Sequence, residues 1–421
     1  MPAMTAEIDV APSRSMVATP LTRTERRRVT AVWILLFCSS LSWSIDQPAY
    51  VVPIPTRAEQ VGTGLALLAA GYLAYRSNPR LRLQGAWPAV IYAVVPVVAL
   101  CAPLAGVAGL GSMFRAGRFL AALGVLALLA PTWRRDAWVL ANAHARVLRL
   151  MIGIALAWFV VGKGVNLEGR LIAQVPALYA PQVGQFAAVL IGVTILQALS
   201  GAPRLPRGGL WIALGIIALL LSKTRTPLVA GAVALGLAAL SLCLTHARAR
   251  RVLAGLLIAG PLLYVALAPF VRSFLRRDQT EDVLSTLTGR TTAWAKVHAF
   301  PRTGFQELFG VGYADKSIDG VPIDNGYIAT YHEIGKIGLL AVIVVLGVLA
   351  VRAFVHTASA RRAVAVFLVI FVAIASYTET GIGDMSAYVM HLVLAGAMVT
   401  SVADRHPPDR AGPRDRAWST P

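Results

Sequence analysis

Acidic side chains are scarce in this chain: 20 Asp and Glu stand against 39 Lys and Arg in 421 residues, and charged residues of both signs make up only 14% of it. Soluble domains carry roughly a quarter charged residues, so a water-solvated globule is excluded for most of the length. Cysteine is nearly missing as well. Cys38, Cys101 and Cys243 fall far apart inside apolar runs, which rules out a disulfide scaffold or a Cys-based metal site and marks them as small core residues. No Walker-type loop, no internal repeat and no group of His, Cys and Asp at ligand spacing occurs, so nothing in the sequence calls for a nucleotide, a metal or another cofactor.

What fills the chain is apolar, at 57% of residues and a mean hydropathy of +0.66. Runs of about 17 to 22 apolar residues recur, each long enough at about 1.5 Å per residue to cross roughly 30 Å of hydrocarbon. In lipid every backbone N–H and C=O must be satisfied internally, which makes each run a helix. The expected fold is therefore all-α, a polytopic membrane protein of about twelve transmembrane helices. The runs lie at about 29–45, 59–75, 86–107, 116–132, 147–163, 182–199, 209–222, 227–244, 252–270, 334–353, 363–377 and 385–402. Residues 1–28 and 403–421 flank this transmembrane domain as polar, disordered cytoplasmic segments, and the first apolar run lacks a small-residue cleavage site, so it reads as an uncleaved helix.

Every second joint between runs is basic. Arg23 with Arg26 to Arg28, Arg134 with Arg135, Arg248 with Arg250 and Arg251, and Arg361 with Arg362 all belong to one set, which holds about 24 of the 39 basic residues. Lys and Arg accumulate on the cytoplasmic side of membrane proteins, so both termini are expected in the cytoplasm. In a soluble protein a pI near 10.7 would suggest nucleic acid. Here the topology signal and anionic lipid headgroups account for it, and no nucleic-acid partner is expected.

The outer side departs from plain connectors. One loop, about 271–330, is far longer than a joint requires and is expected to contain short helices. Within it Thr288 is placed to cap a helix in which Ala293, Trp294, Val297 and Phe300 form an apolar stripe before Pro301 ends it. Arg290 then lies in the first turn, where a cation opposes the helix dipole unless an anion is bound. A second basic point is Ser222–Pro227, which sets Lys223 and Arg225 in a tight outer turn against the positive-inside trend. Arg115, Arg118, Lys163, Glu168 and Arg170 read as interface anchors, and Glu379 with Asp384 as a solvated acidic joint, with neutralisation of a cation elsewhere as the alternative.

Three segments together resemble the bacterial O-antigen ligases and O-antigen polymerases, membrane glycosyltransferases acting on lipid-diphosphate-linked glycans. Ser222 to Pro227 is similar to the family's Ser-x-x-Arg-Thr stretch, and Thr288-Gly289-Arg290 followed by Trp294 to its Ser-Gly-Arg-x-x-x-Trp motif. Asp324-Asn325-Gly326-Tyr327, with Glu333-x-Gly335-x-x-Gly338 behind it, resembles its His-Asn-x-Tyr motif. The likeness covers about 205–345. It departs at Asp324, where the ligases carry histidine; His332 does not take that place.

The resemblance implies a polyprenyl-diphosphate-linked glycan donor, a glycan or lipid-anchored acceptor, and a metal-independent inverting transfer on the outer side of the membrane. It makes Arg225 and Arg290 the diphosphate-holding groups, with Lys223 and Arg277 assisting. Asp324 becomes the general base, and Asn325 and Tyr327 orient the base or a sugar. Glu333 is expected to pair with an arginine or cap the following helix. The alternatives are a transporter or flippase of lipid-linked glycan and a non-catalytic glycan-binding scaffold.

Overall fold

The computed structural model describes residues 21–43, 54–276, 290–313, 316–318 and 320–400. Arg277, Thr288, Gly289 and most of both expected disordered ends lie outside these. About three quarters of the chain is helical, and the two-residue strands Ser317–Ile318 and Val321–Pro322 form an antiparallel pair.

The helices are α1 (Arg23–Ser40), α2 (Thr56–Ser77), α3 (Trp87–Tyr92), α4 (Val94–Ala99), α5 (Cys101–Leu104), α6 (Leu110–Leu128), α7 (Ala130–Arg135), α8 (Ala137–Val160) and α9 (Ala180–Ser200). They continue with α10 (Gly208–Ser222), α11 (Arg225–Cys243), α12 (Ala247–Arg276), α13 (Arg290–Ala299), α14 (Gly304–Phe309), α15 (Gly326–Val355), α16 (Ala360–Ala375) and α17 (Ala387–Thr400). Each apolar run falls on a helix. Six are long and apolar enough to cross a membrane: α6, α8, α9, α11, α15 and the composite of α3, α4 and α5. Two more, α10 and α17, are shorter apolar helices. The other four runs lie in α1, α2, α12 and α16. The third run is three pieces because Pro96 and Pro103 each withhold a backbone N–H from the ladder.

Exposed faces are apolar. Along α2, Val61, Leu65, Leu68 and Tyr72 recur on one side and are 61%, 61%, 72% and 59% exposed, while Ala70 and Ala74 on the other are fully buried. A stripe of this kind suits a lipid solvent. Because lipid tails are as apolar as leucine, close packing holds such helices together. At Gly192 of α9 a Cβ would lie 2.1 Å from the ring of Phe367 on α16. Glycine there lets that aromatic ring meet the neighbouring backbone.

Inside the bundle a directed chain of hydrogen bonds joins four helices. Trp33 Nε1 of α1 donates to His144 Nδ1 of α8 at 3.0 Å, His144 Nε2 meets His391 Nδ1 of α17 at 2.9 Å, and His391 Nε2 faces the Gln185 amide of α9 at 3.2 Å. Indole can only donate, so the proton of neutral His144 is on Nε2 and the proton of His391 on its own Nε2. Gln185 must therefore turn its oxygen toward His391. Every ring nitrogen is engaged, and both imidazoles are buried.

The long helix α15 is broken. Gly335 takes φ 69° and ψ −170°, and a Cβ there would come within 2.3 Å of the Leu308 carbonyl oxygen. The loop after α14 supplies what the break releases: Val311 N donates to His332 O at 3.1 Å and Gly312 N to Glu333 O at 2.8 Å. The Glu333-x-Gly335 pattern is thus a helix interruption whose open carbonyls are satisfied by the loop after α14.

Candidate functional site

At the Ser222–Pro227 turn, α10 ends with Lys223 in the left-handed region, φ 50° and ψ 33°, and Thr224 leads into α11. Ser222 Oγ donates to Leu219 O at 2.7 Å and shares a 2.7 Å hydrogen bond with Thr224 Oγ1. Gly184 of α9 gives both hydroxyls room, since a Cβ there would lie 2.1 Å from Thr224 Oγ1. These small residues fix the turn, and Arg225 leaves the first turn of α11. Leu171 N donates to Leu221 O at 2.9 Å, which draws the loop carrying Arg170 to the same point. Arg170 holds Glu168 at 2.7 Å. The exposed Lys223 ammonium lies over Gly169, where a Cβ would be 3.2 Å from Nζ.

Helix α13 is described from Arg290 and buries Ala293 and Val297 completely. Trp294 packs edge-on against Tyr377 at 5.5 Å, tying α13 to the joint between α16 and α17. Arg290 Nε lies 3.6 Å from Asp324 Oδ2, with the Asp324 side chain 50% exposed. Arg225 in turn sits in the field of both Arg170 and Arg290. Two motifs far apart in sequence and the loop after α8 therefore set the Arg225 guanidinium within electrostatic range of two others, those of Arg170 and Arg290. Like charges so arranged repel, and an oxyanion among them removes the repulsion.

Glu379 completes the cluster. The joint that carries it is pinned at two points: Gly326 N donates to Ser376 O at 2.7 Å, and the hydroxyls of Thr226 and Thr378 share a hydrogen bond. Gly326 has no alternative, because a Cβ would stand 2.9 Å from the Glu379 carbonyl oxygen. Burial pushes the Glu379 carboxyl up to about 7; Arg290 and Arg170 pull it back and Asp324 adds to the rise. The expectation of a solvated acidic joint is thus corrected. Glu379 is half-buried beside the arginines, and Asp384, only 16% exposed, pairs with Lys316 at 3.3 Å. The signal available was the pair of cations in the Ser222–Pro227 turn, Lys223 and Arg225, which needs carboxylates near it.

The remaining motif residues act on the backbone. Asn325 Oδ1 caps α15, accepting from Tyr327 N at 2.9 Å and Ile328 N at 3.0 Å, and the residue is buried. Tyr327 Oη donates to Ala373 O at 2.9 Å. Glu333 is buried at the helix break and its charge acts on Lys316. His332 is packed edge-on to Phe300 and accepts from Arg302 Nη2 at 3.1 Å, so its imidazole is engaged away from Asp324. Among the described residues no three His, Cys, Asp or Glu side chains converge as a metal-binding set. Neither a protein-family model nor a curated protein matches the chain, so the chemistry of this cluster rests on its geometry.

Proposed function

We propose that the chain is a membrane glycosyltransferase of about twelve spans that polymerises or ligates polyprenyl-diphosphate-linked oligosaccharides on the outer side of a bacterial plasma membrane. One observation carries the reading: Arg225, Arg290 and Asp324, from three separate motif segments, meet at one end of the bundle together with Arg170 and Glu379. Guanidiniums offer planar, bidentate forks for the two phosphates of a donor. Their charge stabilises the diphosphate as the anomeric C–O bond breaks and the leaving group departs with the bonding electrons. Asp324, reachable from solvent, takes the proton of the acceptor hydroxyl as it attacks the anomeric carbon from the opposite face, which inverts the configuration. Asn325 and Tyr327 hold the start of α15, and with it Asp324, in place.

The transporter reading has one observation in its favour, the buried His144–His391 pair, since ionisable residues inside a membrane often mark transport pathways. With every nitrogen engaged in a directed chain, that pair acts as a clasp between helices.

The test is glycan laddering in a deletion strain complemented with wild type, Arg225→Ala, Arg290→Lys or Asp324→Asn, each checked for membrane expression. Arg290→Lys keeps the charge but loses the fork and is expected to lose about tenfold or more in transfer. Asp324→Asn is expected to bind donor and transfer nothing. Full rescue by all three expressed variants would falsify the enzyme reading and move the transporter or scaffold forward.

A further inference from the structure

A cleft of about 590 Å³ opens among α1, α2, α6 and the joints that carry Tyr179, Lys316 and Asp384, a size within the range of about 300–1,000 Å³ typical of small-ligand sites. It shares no lining residue with the Arg225, Arg290 and Asp324 cluster. Arg115 and Arg118 both line it from the first turns of α6. Three residues apart, they fall on one face of a helix that is itself long and apolar enough to cross a membrane. Guanidiniums at such a position are costly in lipid unless they face protein, water or a counter-charge.

The counter-charge on hand is already committed. Asp384 is held 3.3 Å from Lys316. Burial pushes its carboxyl up, but Lys316, Arg118, the Met385 N–H and Arg115 outweigh that and hold it below its ordinary value, so it stays ionised. Glu59 accepts from Ser42 Oγ at 3.2 Å. Among the described residues the lining carries three cations, Arg115, Arg118 and Lys316, against two carboxylates, Glu59 and Asp384. Arg118 Nε is buried and has no hydrogen-bond partner among the described residues. An unmet guanidinium donor in a net-positive cleft calls for an oxyanion. The rest of the lining includes Gln60, Thr63, Ser40 and Ser42, amide and hydroxyl groups that both donate and accept, as the hydroxyls of a sugar require.

The two sites are joined by one stretch of chain. Glu379 faces Arg290 and Asp324, and Asp384, farther along the same joint, faces Lys316. Tyr313 Oη donates to Gly383 O at 2.5 Å, which fixes the joint between them. A glycan whose reacting end is at Asp324 has the cleft as a neighbour along its length.

We propose that this cleft is a glycan subsite that recognises an oxyanion-bearing sugar, through Arg118 and Arg115, in the growing or accepting chain. The substrate class rests on the glycosyltransferase reading; the anion selectivity rests on the cleft alone.

The test uses the full chain in nanodiscs of zwitterionic lipid and measures binding of three soluble probes of equal length: an oligogalacturonate, a phosphorylated maltooligosaccharide and neutral maltooligosaccharide. At least one anionic probe is expected to bind about tenfold more tightly than the neutral one, the worth of about one pKa unit of charge interaction. Which of the two binds separates a carboxylate from a phosphate ligand. Arg118→Gln is expected to erase that preference, the surface-exposed Arg115→Gln to reduce it, and Arg118→Lys to restore part of it. Equal binding of neutral and anionic probes overturns the proposal. So does an unchanged preference in both folded Gln variants, or loss of probe binding to phosphatidylglycerol added to the discs, which would assign the cleft to a lipid headgroup. Probe binding without any transfer activity in the wild type sinks the enzyme reading and leaves the subsite standing.

Discussion

Glu379 is the residue whose surroundings say most about how the site works. Its carboxyl titrates near 7 because burial disfavours the charge more than Arg290 and Arg170 favour it. An unfolded chain holds the same proton with an ordinary affinity near 4.5. The folded state therefore binds more protons between those values, so the contribution of Glu379 to stability is complete below about 4.5 and is lost as pH climbs through about 7. The functional consequence follows from the same charges. On the proposed function, the ionised carboxylate above about 7 competes with a donor diphosphate for Arg290 and Arg170, and the neutral acid below it does not. The apparent KM for a lipid-diphosphate donor is expected to rise with pH through this range by up to about tenfold, one pKa unit of coupling. In Glu379→Gln it is expected to stay flat and low. A wild-type KM that ignores pH between 6 and 8, or a Gln variant that keeps the wild-type slope, would show that Glu379 does not share these arginines with the substrate.

Between elements, the motif glycines and hydroxyls create the close approaches that bring charges together. Gly184 admits the Ser222–Pro227 turn, Gly326 admits the joint bearing Glu379, and Gly335 breaks α15 so that the loop after α14 can bond to it. Of these, Gly335 carries both a positive φ and a backbone oxygen at 2.3 Å from any Cβ. Gly335→Ala is expected to cost more than about 1 kcal/mol and to lower the Tm of the detergent-solubilised protein by several degrees or abolish its accumulation. Gly347, in the same helix with open space around its Cα, is the control: alanine there is expected to be neutral or to stabilise by up to about 1 kcal/mol. Equal behaviour of the two variants would mean that the break is not needed. The helices themselves were legible in the sequence because an apolar run in lipid has one way to satisfy its backbone. The meeting of Arg170 and Glu379 with Arg225 and Arg290 was not, because no local period or cap encodes a contact between distant joints. Asn325 illustrates the converse: its place in a motif suggested a sugar ligand, while its side-chain oxygen caps a helix, a role that Asn at such a position fills on local grounds alone.

On the scale of the molecule, the site and the cleft have a meaning only if their helix ends share one side of a membrane. The contacts already demand that the end of α10, the start of α11, the start of α15 and the end of α16 lie together. The basic residues say which side that is. Arg204 and Arg207 before α10, Arg248, Arg250 and Arg251 in and before the body of α12, and Arg352 with Arg361 and Arg362 between α15 and α16 occupy the opposite ends, and such residues mark the cytoplasmic face. The proposed function requires that the site face outward. Together with an even number of spans it requires both termini on the cytoplasmic side. The measurement is impermeant-maleimide labelling of intact cells after Cys38, Cys101 and Cys243 are replaced by serine and one cysteine is introduced at a time. Leu167→Cys, 89% exposed in the joint that carries Arg170, is expected to label without permeabilisation, and Arg204→Cys only after it. A fluorescent-protein fusion at each terminus is expected to fluoresce, as such fusions do in the cytoplasm. Labelling at Arg204→Cys but not at Leu167→Cys in intact cells would invert the protein and put the arginine cluster in the cytoplasm, which no donor of this kind could use for surface polysaccharide. Reporters on opposite sides would make the span count odd, and one of the four runs in α1, α2, α12 and α16 would then lie on the membrane instead of across it.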